Sequence, residues 1–218
     1  LLYVISTPIG NLKEFSPRAI ECIKECDFIA SEDTRTTSLL LSKFNISKPS
    51  ISYHEHNEQE ASSKIIALLK EGKKIGLTSD AGYPGISDPG SILIKHCIEE
   101  DIPVAVVNGS NAFIPALVGS GLDTSHFYFH GFLPSKESAR KKELEEIKNK
   151  KETLIFYESP HRIKETLENQ SFFNSNKYGF EGLISAPSAL KIFEIHKVFL
   201  QIFALTERKS SPSKLLRI

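Results

Sequence analysis

The sequence predicts an α/β protein of two α/β domains, on three observations. Short apolar strand-like runs alternate with amphipathic helical patterns from the first residues, a rhythm that argues for a mostly parallel sheet covered by helices. The glycine and charged-polar content of the first half gathers in the segments that follow those runs. A short glycine- and serine-bearing stretch, "GSGLDTS" (Gly119 to Ser125), then precedes a second block of different character. The reading is an N-terminal domain over 1–120, a smaller one over 121–218, and a cleft between them.

In order, strands are expected at Leu2 to Ser6, Phe28 to Ser31, Ser50 to Tyr53, Lys74 to Thr78 and Val104 to Val107, and helices near 17–25, 36–43, 57–71, 89–100 and 110–118. The second block opens with the aromatic strand "HFYFHGF", followed by a lysine-rich helix over 136–150, the strand "ETLIFYE" and a helix from His161. No repeat or low-complexity tract interrupts the pattern.

Composition narrows the function. The chain has 218 residues, 40% of them hydrophobic, enough for a proper core. Lys+Arg and Asp+Glu stand at 27 each, so no overall field draws the protein to nucleic acid or an anionic membrane, and such a partner requires a local patch. Apolar stretches such as Ile65 to Leu69 are far too short to span a bilayer, and no charged-then-apolar leader opens the chain, which predicts a cytoplasmic protein with no membrane partner. Three cysteines without framework spacing fit a reducing compartment; Cys22 and Cys26, one helical turn apart, read as core thiols before metal ligands. The absence of methionine at position 1 predicts that the natural chain starts further upstream.

Open parallel sheets bind ligands beyond the carboxyl ends of their strands. Here those ends lead into "TPIGN", "SEDTR", "YHEHN", "TSDAGYPGISDPG" and "VNGSN". Gly85 and Gly90 have the glycine spacing of a P-loop, but Ser91 follows where lysine is needed, and Asp88 and Pro89 add negative charge and remove an amide donor. The dinucleotide fingerprint G-x-G-x-x-G is absent from every βα junction. A loop this acidic suits a ligand carrying positive charge, hydroxyls or amines. S-adenosylmethionine offers all three, although the residues alone do not single it out.

"YVISTPIGNL", "IASEDTRTT", "ISYHEHNE", "SDAGYPGISDPG" and "LIFYESPHR", in this order, resemble the small-subunit ribosomal RNA methyltransferases that modify the 2′-hydroxyl of a cytidine, within the tetrapyrrole methylase superfamily. The resemblance covers Leu1 to Asn169 and implies a tetrapyrrole methylase-like fold, S-adenosylmethionine in the cleft between two domains, small-subunit ribosomal RNA as substrate, and a homodimer. It places Thr7, Pro8, Gly10 and Asn11 in the first cofactor loop, Asp80, Ala81 and Gly82 in the central one with Ser87 and Asp88 closing it, and Gly109 and Ala112 beside the adenine or methionine moiety. "VNGSNAF" replaces the family's proline-glycine-proline-serine-alanine run, and Tyr83 stands where many relatives carry threonine.

Methyl transfer from a sulfonium is an in-line displacement, so holding the acceptor oxygen behind the methyl carbon is the largest task, and positioning of this kind contributes about 7–11 kcal/mol. A base for the ribose hydroxyl adds roughly 10²–10⁴-fold. Glu32, Asp33, His54, His56, Glu158 and His161 are candidates for that base, with Arg35 beside Glu32 and Asp33 in "SEDTR" as a further catalytic candidate. Glu32-Asp33-Thr34 could equally cap the following helix. His54 and His56, which alternate with Glu55 on an extended segment, are candidates for substrate contact; their spacing also allows a metal, but no further histidine or cysteine lies at suitable spacing, so no metal is expected. Tyr157 and Arg162 complete a substrate-facing "YESPHR", in which Ser159 and Pro160 have a helix-starting role. From Lys136 to Lys151, seven Lys/Arg face four Glu, a modest basic patch whose Arg140 and Lys141 are candidate phosphate ligands, against the alternative of a solvated face with ion pairs such as Glu137–Lys141.

After Asn169 the pattern stops. "SFFNSNKYGFEGLISAPSALKIFEIHKVFLQIFALTERKSSPSKLLRI" carries no arginine-glutamate-leucine-threonine-lysine stretch and no glycine-bearing hairpin of the expected kind. The tail is expected to lack the second domain's closing strands. A non-catalytic cofactor- or RNA-binding relative, or a methylase of small tetrapyrrole-like molecules, therefore stands as an alternative.

Overall fold

A computed structural model describes residues 1–147, 149–159, 161–163, 166, 178–185 and 201–207. The chain divides into two compact units, Leu1–Asn111 and Ala112–Ile218.

In the first unit, strands β1 (Leu2–Ile5), β2 (Phe28–Ser31), β3 (Ser50–Ser52), β4 (Ile75–Thr78) and β5 (Val104–Val107) form one sheet in the order β3-β2-β4-β1-β5. Every neighbouring pair is parallel. Helices α1 (Pro17–Glu25), α2 (Thr34–Ser42), α3 (Glu58–Lys70) and α4 (Ser91–Glu99) cover both faces. The inner strands β1 and β4 are buried along their whole length and β2 along nearly all of it, which is why they are mainly apolar, whereas the edge strands β3 and β5 are partly exposed. Leu2, Val4, Ala30, Ile51, Ile75 and Leu77 pack against α3 and α4 through Ile65, Leu69, Leu93 and Cys97. Tyr3, Ile5, Ile29 and Val107 face α1 and α2 through Ala19, Cys22, Ile23, Leu40 and Leu41. All three cysteines are buried free thiols.

Helix starts follow local chemistry. Ser16 accepts the amide of Ala19 at 3.1 Å ahead of Pro17, and Asp33 accepts the amides of Arg35 and Thr36 at 2.8 and 3.4 Å. Because β4 lies between β1 and β2, the segment after β4 is flanked by those after β1 and β2. That order puts residues 79–90 in the middle of the carboxyl edge.

The second unit begins ahead of α5 (Phe113–Ser120), which ends at Gly121 in the left-handed region. The stretch from Gly119 thus opens inside a helix. Strands β6 (Phe127–Phe132), β7 (Thr153–Glu158), β8 (Tyr178–Ser185) and β9 (Gln201–Glu207), with α6 (Glu137–Ile147), complete the unit. The sheet order is β6-β7-β9-β8, with β6 and β7 parallel and β9 antiparallel to both β7 and β8. The tail, expected to supply no closing strand, supplies two. Its "YGFEGLIS" and "QIFALTE" runs are rich in β-branched and aromatic residues, which suit a pleated surface. Beyond its first turn, the helix expected from His161 lies outside the described residues. No helix among the described residues is long and apolar enough to cross a membrane.

Candidate functional site

The loops at the carboxyl edge of the first sheet are tied to one another by short polar contacts. Thr7 and Gly82 form an isolated antiparallel bridge, the amide of each donating to the carbonyl of the other at 2.9 and 3.1 Å. The Thr7 hydroxyl donates to the carbonyl of Ser79 at 3.0 Å, and Ser79 Oγ donates to the carbonyl of Gly82 at 3.1 Å. The Asp33 amide donates to Oδ1 of Asp80 at 3.4 Å, joining the loop after β2 to the one after β4. On the other side, the Gly109 amide donates to the Tyr83 hydroxyl at 2.9 Å and Ser6 Oγ donates to the carbonyl of Ser110 at 2.7 Å. The structure therefore brings Thr7, Pro8, Gly10, Asp80, Ala81, Gly82, Ser87, Asp88 and Gly109 to one edge of one sheet. Ala112 falls in the other unit. Asn11 has a local task, its side chain accepting the amide of Lys13 at 3.1 Å to start a short 3-10 turn.

Electrostatics at this edge is acidic. Burial, then the charges of Glu32 and Asp80, push the half-buried Asp88 carboxyl up to about 7. Burial and Asp80 likewise raise Glu32, with His54 pulling the other way. His54 and His56 stack edge to face at 6.0 Å between ring centres. Among the described residues of the first unit, three buried side-chain polar atoms lack a hydrogen-bond partner: Ser31 Oγ, His54 Nδ1 and Ser110 Oγ. All three stand at the carboxyl end of a strand or just beyond it, where a ligand can supply what the protein does not. No cluster of three or more metal-ligating side chains occurs among the described residues.

Three expectations need correction. Asp33 is a helix cap whose two oxygens are held by Arg35 at 2.8 to 3.3 Å, which keeps its carboxyl below the ordinary range, so it is a poor proton acceptor. Arg35 itself is exposed and spent on that pair. Glu158 is fully buried: Oε1 accepts from the Ser159 amide and from Arg162, both at 2.7 Å, and Oε2 accepts from the Thr166 hydroxyl at 2.8 Å. A carboxylate so enclosed is committed to ordering its own turn, with no face open to a substrate, and Arg162 is bound to it. Arg140 is 1% exposed and donates to the carbonyls of Pro134 and Ser135, so it anchors α6 from within and belongs to no phosphate-facing surface.

Of the remaining residues in the second unit, Tyr157 is buried with its ring against Phe129 and Phe132 at 4.9 and 5.6 Å. His161 is exposed, and Lys141 is exposed and paired with Glu137 at 2.7 Å. Sequence reasoning missed Tyr53 and Glu58 as participants at the carboxyl edge, although both belong to the quoted "ISYHEHNE" run; an acidic residue opening a helix reads as a solvated first turn until its partner is seen.

Five parallel strands with polar loops bonded together at their carboxyl ends make the first unit an open α/β sheet, the class of fold whose ligands bind beyond those ends. The chain belongs to the tetrapyrrole (corrin/porphyrin) methylase family, whose model matches residues 1–173. It is 49% identical over 177 residues to a protein of Halalkalibacterium halodurans named ribosomal RNA small subunit methyltransferase I, covering 81% of this chain and 61% of the relative. It is 48% identical over 179 residues to the protein of that name from Haemophilus influenzae, covering 82% and 63%. The chain thus spans about six tenths of the length of these curated relatives. Among solved structures, the methyltransferase CobJ matches with a TM-score of 0.61 at 13% identity, over 97% of both chains. Uroporphyrin-III C-methyltransferase from Thermus thermophilus, complexed with S-adenyl homocysteine, matches with a TM-score of 0.60 at 14% identity, over 94% of this chain and 97% of that one. Those two likenesses bear on the fold alone.

Proposed function

We propose that the protein is an S-adenosylmethionine-dependent methyltransferase that modifies the ribose 2′-hydroxyl of a cytidine in small-subunit ribosomal RNA. One observation carries the cofactor half: the loop edge is acidic and leaves Ser31 Oγ, His54 Nδ1 and Ser110 Oγ buried and unsatisfied at the strand ends. Carboxylates suit a sulfonium and an amino group, and they repel the phosphates that most loops of this position bind. The near half-identity to proteins named ribosomal RNA small subunit methyltransferase I supports the RNA half.

When bound, the cofactor supplies an electrophilic methyl group. The chain's own residues hold and orient it. The Thr7–Gly82 bridge fixes two loops, Asp80 and Asp88 offer carboxylates to positive charge, and the Gly109 segment closes the edge beside β1. Glu32 is the proton acceptor of this reading, because burial and Asp80 raise its affinity for a proton, whereas Asp33 and Glu158 are committed elsewhere. His54 and His56 contact the nucleotide, with His161 and Lys141 as contacts from the second unit. Two domains, 1–120 and 121–218, a homodimer and a cytoplasmic location belong to the same reading.

Calorimetry with S-adenosylmethionine, followed by methyl transfer to small ribosomal subunits, tests it. Binding with transfer to the ribose is expected. Binding without transfer assigns a non-catalytic module, transfer to a tetrapyrrole in place of RNA changes the acceptor, and no binding removes the cofactor.

A further inference from the structure

We infer that Glu58 is a positioning residue for this site, an assignment that rests on the cofactor reading above. Helix α4 starts at Gly90, whose φ of 144° and whose closeness to Gly85 exclude a side chain: a Cβ there would come 2.9 Å from the Gly85 nitrogen. A glycine at the N-cap has no side chain with which to accept the exposed amides of the first turn. Oε1 of Glu58, the first residue of α3, takes the amide of Gly90 itself at 3.0 Å, one of the amides that this helix start leaves without an intrahelical partner. A carboxylate at the N-terminus of α4 also complements the positive end of that helix.

The same oxygen accepts from the Tyr53 hydroxyl at 3.1 Å, and Tyr53, 1% exposed, shares a 3.3 Å hydrogen bond with the fully buried Ser62 Oγ. Tyr53 and Glu58 therefore bracket the turn that carries His54 and His56. Gly90 ends the loop that carries Asp80 and Asp88, with Asp88 two residues before it. One carboxylate oxygen thus sets the turn of the histidines against the turn of the aspartates. Two hydrogen bonds, from the Gly90 amide at the start of α4 and from the Tyr53 hydroxyl just past β3, hold Glu58 between the two turns, so the distance between those turns depends on it.

The experiment compares Glu58→Ala, Glu58→Gln and Tyr53→Phe with the unaltered chain, by calorimetry with S-adenosylmethionine and by amide hydrogen exchange over residues 86–91. Glu58→Ala is expected to weaken cofactor binding about tenfold, the equivalent of losing one cap, and to speed exchange over that segment. Glu58→Gln keeps an oxygen that can accept both hydrogen bonds, and restores binding to within about threefold with slow exchange. Tyr53→Phe, which keeps the Gly90 contact, falls between them and serves where Glu58→Ala does not fold. If transfer is observed, Glu58→Ala raises the cofactor KM and leaves kcat at saturation nearly unchanged. Unchanged binding and exchange in a folded Glu58→Ala variant, or failure of Glu58→Gln to restore them, overturns the assignment. An unaltered chain that binds no S-adenosylmethionine overturns the cofactor reading itself, and exchange over 86–91 then reports on the loop contact alone.

Discussion

Gly109 stands so close to Ser6 that a Cβ added to it would lie 2.9 Å from the Cβ of Ser6 and 3.0 Å from its hydroxyl oxygen. Ser6 follows β1 and Gly109 follows β5, and the Ser6 hydroxyl holds the carbonyl of Ser110 at 2.7 Å, so the segment after β5 cannot be lifted without breaking that bond. Gly109→Ala is expected to cost about 1–3 kcal/mol of stability, as overpacking does, and to weaken cofactor binding because the segment shifts. Thermal melting and calorimetry on one variant check both. An alanine variant that melts with the unaltered chain would place the Ser6 contact elsewhere.

Asp88 predicts a pH dependence with a definite sign. Its carboxyl sits near 7 in the folded protein against an ordinary value of 3.8, because burial and two neighbouring carboxylates disfavour the charge. Between those values the folded state binds a proton that the unfolded state has released, so this group's stabilisation is complete below about 4 and is lost as pH rises through about 7. Asp88→Asn cannot ionise. The variant is therefore expected to melt higher than the unaltered chain at pH 8 and to lose that advantage at pH 4. A difference that grows toward low pH would reverse the sign and remove the acidic cluster as its cause.

Much of this was legible in the sequence, for a physical reason. The strands β2 and β5 coincide with their predicted runs because short runs of apolar and β-branched residues bounded by turn-formers suit a strand, whether nearly fully buried as in β2 or at the sheet edge as in β5. The carboxyl-edge loops were legible because backbone that approaches a ligand or other backbone closely needs glycine, as Gly109 against Ser6 shows. Individual side chains were harder to read. "YESPHR" looked unexplained by folding, yet Glu158 accepts from Arg162 and from the Ser159 amide; the i,i+4 spacing allows the pair, but that the carboxylate is fully buried depends on tertiary packing that spacing does not give. Arg140 was counted among surface charges because charge is read from composition, whereas it lies on the buried face of α6 with Leu144 and Ile147. Glu58 was passed over because its partner Gly90 is 32 residues away.

The Glu158–Arg162 pair gives a stability prediction separate from the chemistry. Glu158 is fully buried and holds Arg162, Ser159 and Thr166. Removing one partner of a buried pair leaves the other uncompensated, a loss of about 3–5 kcal/mol. Glu158→Ala is expected to lower the melting temperature sharply while S-adenosylmethionine affinity, measured below the melt, changes little. A stable variant that has lost methyl transfer alone would return Glu158 to the list of proton acceptors.

The last contrast separates cofactor from RNA. Asp80 is exposed at the acidic edge and accepts the Asp33 amide, whereas Lys141 is exposed on α6 and pairs only loosely with Glu137, since an exposed ion pair is worth about 0.2–1 kcal/mol. Asp80→Ala is expected to weaken cofactor binding and leave RNA affinity nearly unchanged. Lys141→Ala is expected to do the reverse and, if Lys141 meets a phosphate, to reduce the slope of log affinity against log salt by about 0.7–0.9. Arg140→Ala, one residue earlier, removes a buried anchor and should lower stability with no change in that slope. Filter binding at several salt concentrations, run beside calorimetry, resolves all three. Should Arg140→Ala flatten the salt dependence while Lys141→Ala leaves it intact, the exposed face of α6 is not where RNA binds.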